Sequence, residues 1–261
     1  MKALSIAATG MLAQQLQVEV ISNNLANMNT TGFKRQRVEF QDLLYQNIER
    51  VGAASSDTGT VVPSGIQIGV GVKTASVYRI TEQGNLVNTG NQYDFAINGA
   101  GYFRIQLPDG SDAYTRAGTF QLSPEGQIVN ADGYIIMPGI TIPPEAIDVA
   151  VNPQGEVQVK LAGQVDPQVV GRFEISTFPN PAGLESVGDN LLIETPASGV
   201  ANNGTPGSPG FGTIVHGLLE TSNVNPVAEV TTLIAAQRAY EMNSKVISTA
   251  DEMMSTVSNL R

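Results

Sequence analysis

The chain has 261 residues, of which 41% are hydrophobic and 15% charged, with 27 glycines, no tryptophan and no cysteine. That length holds one large domain or two to three small ones; the missing cysteines exclude a disulfide framework and thiolate metal sites, and no apolar run reaches the ~18 residues that a bilayer-spanning helix needs. The formal net charge is −10, and residues 51–220, with six basic against sixteen acidic side chains, supply all of it; residues 1–50 (five basic, four acidic) and 221–261 (three basic, four acidic) are near neutral. Phosphate contacts need a basic face, so nucleic acid is not expected as a partner.

Ala3 to Met28 reads as one helix. Leu4, Met11, Val18 and Leu25 recur every seven residues, and Ala7, Gln14, Ile21 and Met28 fill the companion positions, a coiled-coil seam with one polar break at Gln14. Leu12, Leu16 and Val20 form a second apolar row, and Glu19 is the one charge in the stretch. A helix apolar on several faces is buried on several sides. At 1.5 Å per residue it is about 39 Å long. The repeat runs on past Ala13, which argues against reading the N-terminal apolar residues as a cleaved signal peptide.

The helix ends in "ISNNLANMNTTGFKR" (21–35), where four asparagines fall within seven positions. Ile21, Leu25 and Met28 continue the seam. Asn23 and Asn24 then lie off it, where uncharged amides can hydrogen-bond neighbouring chains without desolvating a charge. Asn27, Asn29 and "TTG" fit a helix end, with Gly32 free to adopt a left-handed turn. Caps and turns favour asparagine in any case, so a purely local role for all four stays open.

The middle reads as β. "YDFAING", "GYFRIQL", "AYTRAGTFQL" and "GQIVNADGYIIM" are short and rich in β-branched and aromatic residues, with turns at Asn98-Gly99, Asp109-Gly110, Pro124-Glu125-Gly126 and Asp132-Gly133. "DVAVNPQGEVQVKLAG" and "GRFEISTF" follow, with Pro153-Gln154-Gly155 as a hairpin turn. Residues 52–65 and 199–212 read as loop or linker on composition. Asn225-Pro226 then opens a second long helix as N-cap and first-turn proline, with Glu229 in or just beyond that turn. Ala236, Ala239, Val246, Ala250, Met253, Val257 and Leu260 follow heptad spacing with Asn243 as the polar break, and Leu233, Tyr240, Ile247 and Met254 form an adjacent row. The two terminal helices most simply pair with one another and leave apolar rows over. The fold class is α+β and multi-domain, with terminal helices paired as a coiled coil around a central antiparallel β region.

Catalytic chemistry is hard to assemble from these residues. His216 is the one histidine, so a histidine-based triad or a multi-histidine metal site is hard to build. Carboxylate pairs could serve glycoside hydrolysis, with Asp94, Asp109, Asp112, Glu125 and Asp132 as candidates, but most sit in or beside turns, where aspartate bonds its own backbone. "INGAGYF" is not followed by a helix, so it is not a dinucleotide loop. No catalytic, cofactor-binding or metal residue is assigned, no cofactor is expected, and the chain is read as a non-enzyme.

Three stretches, in order across nearly the whole chain, carry a resemblance. "ISNNLANMNTTGFKRQRVEFQDLL" (21–44) resembles the N-terminal signature of bacterial flagellar rod and hook proteins, 93–137 resembles their central β module, and "LETSNVNPVAEVTTLIAAQRAYEMNSKVISTADEMM" (219–254) resembles their C-terminal helix signature. The length and the insertion after the first motif look most like the distal-rod members. The resemblance implies a structural subunit, exported unfolded by the flagellar type III machinery and polymerised into an open helical homopolymer. This would be a rigid, torque-transmitting rod that crosses the periplasm toward the outer membrane and adjoins proximal rod, hook and basal-body ring proteins.

It also implies an inner tube of terminal helices (1–32 with 223–261), a connecting region (33–90 with 196–222) and an outer β domain (91–195). Inner-tube packing falls to Leu4, Met11, Val18, Ile21 and Leu25 on the first helix. On the second it falls to Leu233, Ala239, Tyr240, Val246, Ile247, Ala250, Met253, Val257 and Leu260. The junction motif is Asn23, Asn24, Asn27, Thr31, Gly32, Phe33 and Lys34 with Ser222, Asn223, Asn225, Arg238 and Tyr240. An insertion at about 46–80, represented by Gln46, Ile48, Val61, Pro63, Gly65 and Ile68, would stiffen the rod against its neighbours, although its composition alone reads as flexible loop. The alternatives are a hook or proximal-rod relative with the same mechanics, or a carbohydrate-active or carbohydrate-binding β protein with coiled-coil ends.

Overall fold

A computed structural model describes residues 2–49, 65–163 and 166–259. Val61, Pro63 and Leu260, and nearly all of the 52–65 stretch, lie outside the described residues. The chain divides into two compact units, one of residues 1–25, 36–78 and 226–261, the other of residues 26–35 and 79–225. The fold class is α+β, with a helix near each end and antiparallel β structure between.

The first unit holds α1 (Lys2–Ala26) and α2 (Pro226–Asn259). Asn24 meets Glu229, Gly10 meets Asn243, and Ala3 and Leu4 share a groove with Ala250, Met253 and Val257. Residue numbers rise along one helix as they fall along the other, so the two run antiparallel. Ala236 and Ala250 are buried on α2, in register with Glu229 and Asn243 at sevenfold spacing, and α1 buries Ala7, Ala13, Val20, Ile21 and Asn24. Small residues set this approach: a Cβ on Gly10 would stand 2.9 Å from Asn243 Nδ2.

The same unit carries two strand pairs, Gln36–Asp42 with Val72–Arg79 and Tyr45–Glu49 with Ile66–Gly69. The second pair aligns Gln46 with Ile68 and Asn47 with Gln67. The loop reading of the insertion is therefore corrected for its described parts. "IQIG" and "VKTASVYR" are β-branched and extended, and a partner strand outweighs the flexibility that their flanking glycines suggest.

In the second unit, Tyr102–Gln106 is the hub of a nine-stranded sheet. One edge pairs with Asp112–Thr115; the other pairs with Ile135–Ile136 at Ile105 and Gln106 and with Ile175–Thr177 at Tyr102 and Phe103. Side chains alternate across a strand, so Phe103, Ile105 and Ala113 enter the main core, while Tyr102 and Tyr114 enter a second cluster with Phe178 and Leu184. The main core also takes Val149, Val151, Val157 and Val159 from a three-stranded sheet (Ala146–Val151, Glu156–Leu161, Gln168–Arg172). Phe95, Phe103, Phe120 and Phe173 occupy its centre, with Phe95–Phe173 centroids 5.2 Å apart and Phe103–Phe120 centroids 5.3 Å apart. Each fully buried ring stabilises the fold by roughly 1.5–3 kcal/mol.

Four of the five expected turns close as amide-to-carbonyl bonds, from Gly110 to Leu107, Gly126 to Ser123, Gly133 to Asn130 and Gly155 to Asn152; at Asn98-Gly99 the flanking strands join different sheets and the Gly99 amide donates to Gln83 Oε1 at 2.9 Å. The expected linker at 199–212 contains a strand: Asn202–Gly204 pairs with Ile175–Thr177. Beyond it Thr213–His216 pairs with Phe95–Asn98. Its glycines and prolines are turns between paired segments, which composition does not distinguish from slack chain.

Candidate functional site

The helix rows predicted from spacing are divided by exposure. On α1, Ile21 is buried and Leu4, Met11, Val18 and Leu25 are half-buried. On α2, Ala250 is buried and Leu233, Ala239 and Ile247 are half-buried, while Tyr240, Val246, Met253 and Val257 are exposed. Val227, Val230, Ile234 and Met242 are exposed as well. Two grooves run between the helices, one of about 580 Å³ beside Leu4, Met253 and Val257 and one of about 370 Å³ lined by Val18, Tyr240 and neighbouring polar residues. Arg238 is exposed and pairs with Glu241 on the next turn of α2 at 3.0 Å. α2 thus pairs with α1 through a row of small and polar residues and leaves large apolar side chains in solvent.

Asn24 corrects one expectation. It is 1% exposed, and its amide treats Gln36 as a second strand would: Oδ1 accepts from the Gln36 amide at 2.8 Å and Nδ2 donates to the Gln36 carbonyl at 2.9 Å. Nδ2 also donates to Glu229 Oε2 at 3.3 Å. Its polar atoms are engaged within its own chain because the backbone turns back over the helix end. Asn23 is exposed. Thr30 Oγ1 donates to Asn27 Oδ1 at 3.0 Å and the Thr30 amide bonds the Asn27 carbonyl at 3.2 Å, which makes Asn27 a turn residue. Thr31 and Phe33 are half-buried.

In the second unit, the three signature stretches meet at one carboxylate. Glu220, 1% exposed, accepts from Lys34 Nζ at 2.5 Å, from Arg116 Nε at 2.7 Å and from the Gly84 amide at 2.9 Å. Lys34 Nζ also donates to the Glu82 carbonyl at 2.7 Å. Arg116 directs its remaining donors to the carbonyls of Ile97 and Gly99, at 3.2 and 2.7 Å, and of Gly101. Burial pulls the Lys34 ammonium below its ordinary pKa, with the hydrogen bond to Glu220 opposing that shift. Gly32, at φ +69°, donates its amide to the Glu220 carbonyl at 2.8 Å; a Cβ there would stand 2.7 Å from the Arg116 and Ala117 backbone.

Asn223 accepts from the Arg35 amide at 2.7 Å and donates to the carbonyls of Ile80 and Glu82, both at 3.0 Å. Ser222 Oγ accepts from the Val224 amide at 3.3 Å, and Asn225 is the residue before Pro226, where α2 begins. Glu220, Arg116, Gly84 and Glu229 are the members that sequence reasoning missed. The available signal was a carboxylate closing the apolar run "IVHGLLE", a place where a charge needs a buried partner.

The insertion residues Gln46, Ile48 and Ile68 lie on the paired strands Tyr45–Glu49 and Ile66–Gly69, with Gly65 just before the second. Leu44, Tyr45, Ile48, Ile66 and Ile68 are exposed there, Leu44 at 85%.

The candidate carboxylates are held locally. Asp94 accepts from Thr89 and Asn91, Asp109 from Ser111, Glu125 from Ser123, Asp132 from Asn130, and Asp112 pairs with Arg104. His216 bonds the Gln92 carbonyl at 2.8 Å and stacks on Phe95. Among the described residues no group of three or more His, Cys, Asp or Glu side chains is placed to hold a metal, and no helix is long and apolar enough to cross a membrane.

Three family models match the chain in order: the flagella basal body rod protein over residues 4–34, the flagellar hook protein FlgE/F/G D1 domain over 96–159, and the flagellar basal body rod FlgEFG protein C-terminal region over 215–260. All three describe components of the flagellar rod and hook. The chain is 60% identical to the flagellar basal-body rod protein FlgG of Caulobacter vibrioides over 261 residues, covering all of both chains. It is 39% identical to FlgG of Bacillus subtilis over 266 residues, covering 100% of this chain and 99% of the relative. Against the rod protein FlgF of the same Caulobacter it is 34% identical over 260 residues, covering 96% and 94%. The chain belongs to the FlgG family of flagellar basal-body rod proteins.

Proposed function

We propose that this chain is the structural subunit of the distal part of the flagellar rod, exported unfolded by the flagellar type III machinery and polymerised into an open helical tube that carries torque across the periplasm. The observation that carries the reading is the exposed apolar side chains of α2, Val227, Val230 and Ile234 at helical spacing toward its N-terminus and Val246, Met253 and Val257 at helical spacing toward its C-terminus. Large apolar side chains left exposed at helical spacing mark an interaction site, and a head-to-tail contact that does not close produces a filament. The terminal helices (1–32 and 223–261) pack as coiled coils into the inner tube. Residues 33–90 with 196–222 connect them to an outer β domain at 91–195. The paired strands of the insertion at about 46–80 present Gln46, Ile48 and Ile68 to neighbouring subunits and stiffen the rod. The partners are further copies of the chain and the adjoining proximal rod, hook and basal-body ring proteins, with no cofactor and no catalytic role.

Electron microscopy of the purified protein tests this. Tubular polymers are expected, and a persistently monodisperse small oligomer under all assembly conditions would refute it.

A further inference from the structure

The chain passes between its two units at residues 25/26, 35/36, 78/79 and 225/226. Inside the second unit, three of the segments that lead to these passages are tied to one another: residues 32–35, 80–85 and 220–223. The Arg35 carbonyl accepts from the Ile80 amide at 2.9 Å, the Asn85 carbonyl from Thr221 at 2.8 Å and the Glu220 carbonyl from Gly32 at 2.8 Å. The Asn223 amide bridges Arg35 to Ile80 and Glu82, and the Glu220 carboxylate bridges Lys34 to Gly84 and Arg116. Two side chains on one segment therefore hold both of the others, and one of them is fixed to the β core through Arg116.

We propose that Glu220 and Asn223 form a clasp that joins these three segments into a single cooperative collar, so that the exits of the chain from the β unit cannot loosen one at a time. Buried charges that satisfy several donors at once specify one arrangement, because any partial opening leaves an unpaired charge in a low-dielectric site. A subunit that carries torque gains from this, since strain entering at one exit is shared by the other two. That use rests on the rod reading, whereas the clasp itself is a property of the single chain.

Amide hydrogen exchange on the full-length monomer separates the two. In the unsubstituted protein, the amides of Gly32, Arg35, Ile80, Gly84 and Thr221 should exchange together, with similar protection. Asn223→Ala removes the acceptor of the Arg35 amide and the two bonds donated to the Ile80 and Glu82 carbonyls, and leaves the acceptors of the Gly84 and Thr221 amides in place. The clasp requires exchange at Gly84 and Thr221 to rise about tenfold as well, with Ile105 and Phe173 in the core unchanged. Glu220→Gln should raise exchange at Arg35 and Ile80, whose own acceptors it leaves in place. An increase confined to Arg35 in the first variant overturns the proposal, as does an equal rise across collar and core. Where Glu220→Gln fails to fold, Asn223→Ala still decides the matter. Because the readout is on the monomer, failure to polymerise leaves it intact.

Discussion

Gly32 combines a left-handed backbone with a close approach: a Cβ on it would stand 2.7 Å from the Arg116–Ala117 backbone. Gly110 also has a positive φ, +84°, but a Cβ there would meet nothing within 4 Å. Gly110→Ala should cost about 1 kcal/mol from conformation alone, and Gly32→Ala about 3 kcal/mol or more once the backbone has to move. Urea unfolding with an unchanged m-value measures both, and equal costs would mean that the Gly32 approach is not rigid. Glu156 carries a pH prediction. Hydrogen bonds from Arg172, the larger effect, and from Asn152 hold its carboxyl below the ordinary 4.5. A lowered folded-state value means that the unfolded chain binds the proton more readily, so this stabilisation is present above pH ~4.5 and is lost as pH falls through the folded value. Glu156→Gln should flatten the acid limb of a stability-versus-pH curve and leave its slope near neutrality unchanged. The asparagine cluster shows what remained hidden at this scale. Its place at a helix end was legible, but Asn24 as a surrogate strand for Gln36 depends on where the chain goes twelve residues later.

The elements test the assembly surface. Val246 is 48% exposed on α2, and Ala236 is buried on the same helix. Val246→Asp should leave monomer stability within about 0.5 kcal/mol, as exposed substitutions do, while abolishing polymers in the microscope. Ala236→Leu should do the reverse in part, overpacking the helix pair at a cost of about 1–3 kcal/mol, seen as early loss of helical circular dichroism. Normal polymers from Val246→Asp would remove the exposed row from the interface. Both helices could be read from spacing because a 3.6-residue period leaves a sevenfold record in the sequence. Which residues turn inward could not, because the adjoining rows are both apolar: Ala236 and Ala250 are buried while Val246, Met253 and Val257 of the same row are exposed, and Leu233 and Ile247 of the other row are half-buried. The buried positions on α2 are the small ones, Ala236 and Ala250, and Gly10 of α1 comes close to Asn243. The strands at 45–49 and 66–69 were missed for a related reason: pairing between segments this far apart in the chain is a tertiary event with no local signature.

At the scale of the molecule, charge opposes association. Each subunit brings a net −10, and the Debye length shrinks from ~30 Å at 0.01 M salt to ~10 Å at 0.1 M. Polymerisation followed by light scattering should therefore accelerate with added salt; a rate that falls instead would place attractive charge pairs at the subunit contacts. The helix–β–helix order, the turn positions, the acidic middle and the family could all be read from the linear chain, because periodicity, turn chemistry and signature motifs are local properties. Only folding reveals that Lys34, Arg116 and Glu220, far apart in the chain, share one buried site. A buried charge must find its counter-charges wherever the fold brings them, and no spacing rule links residues 34, 116 and 220.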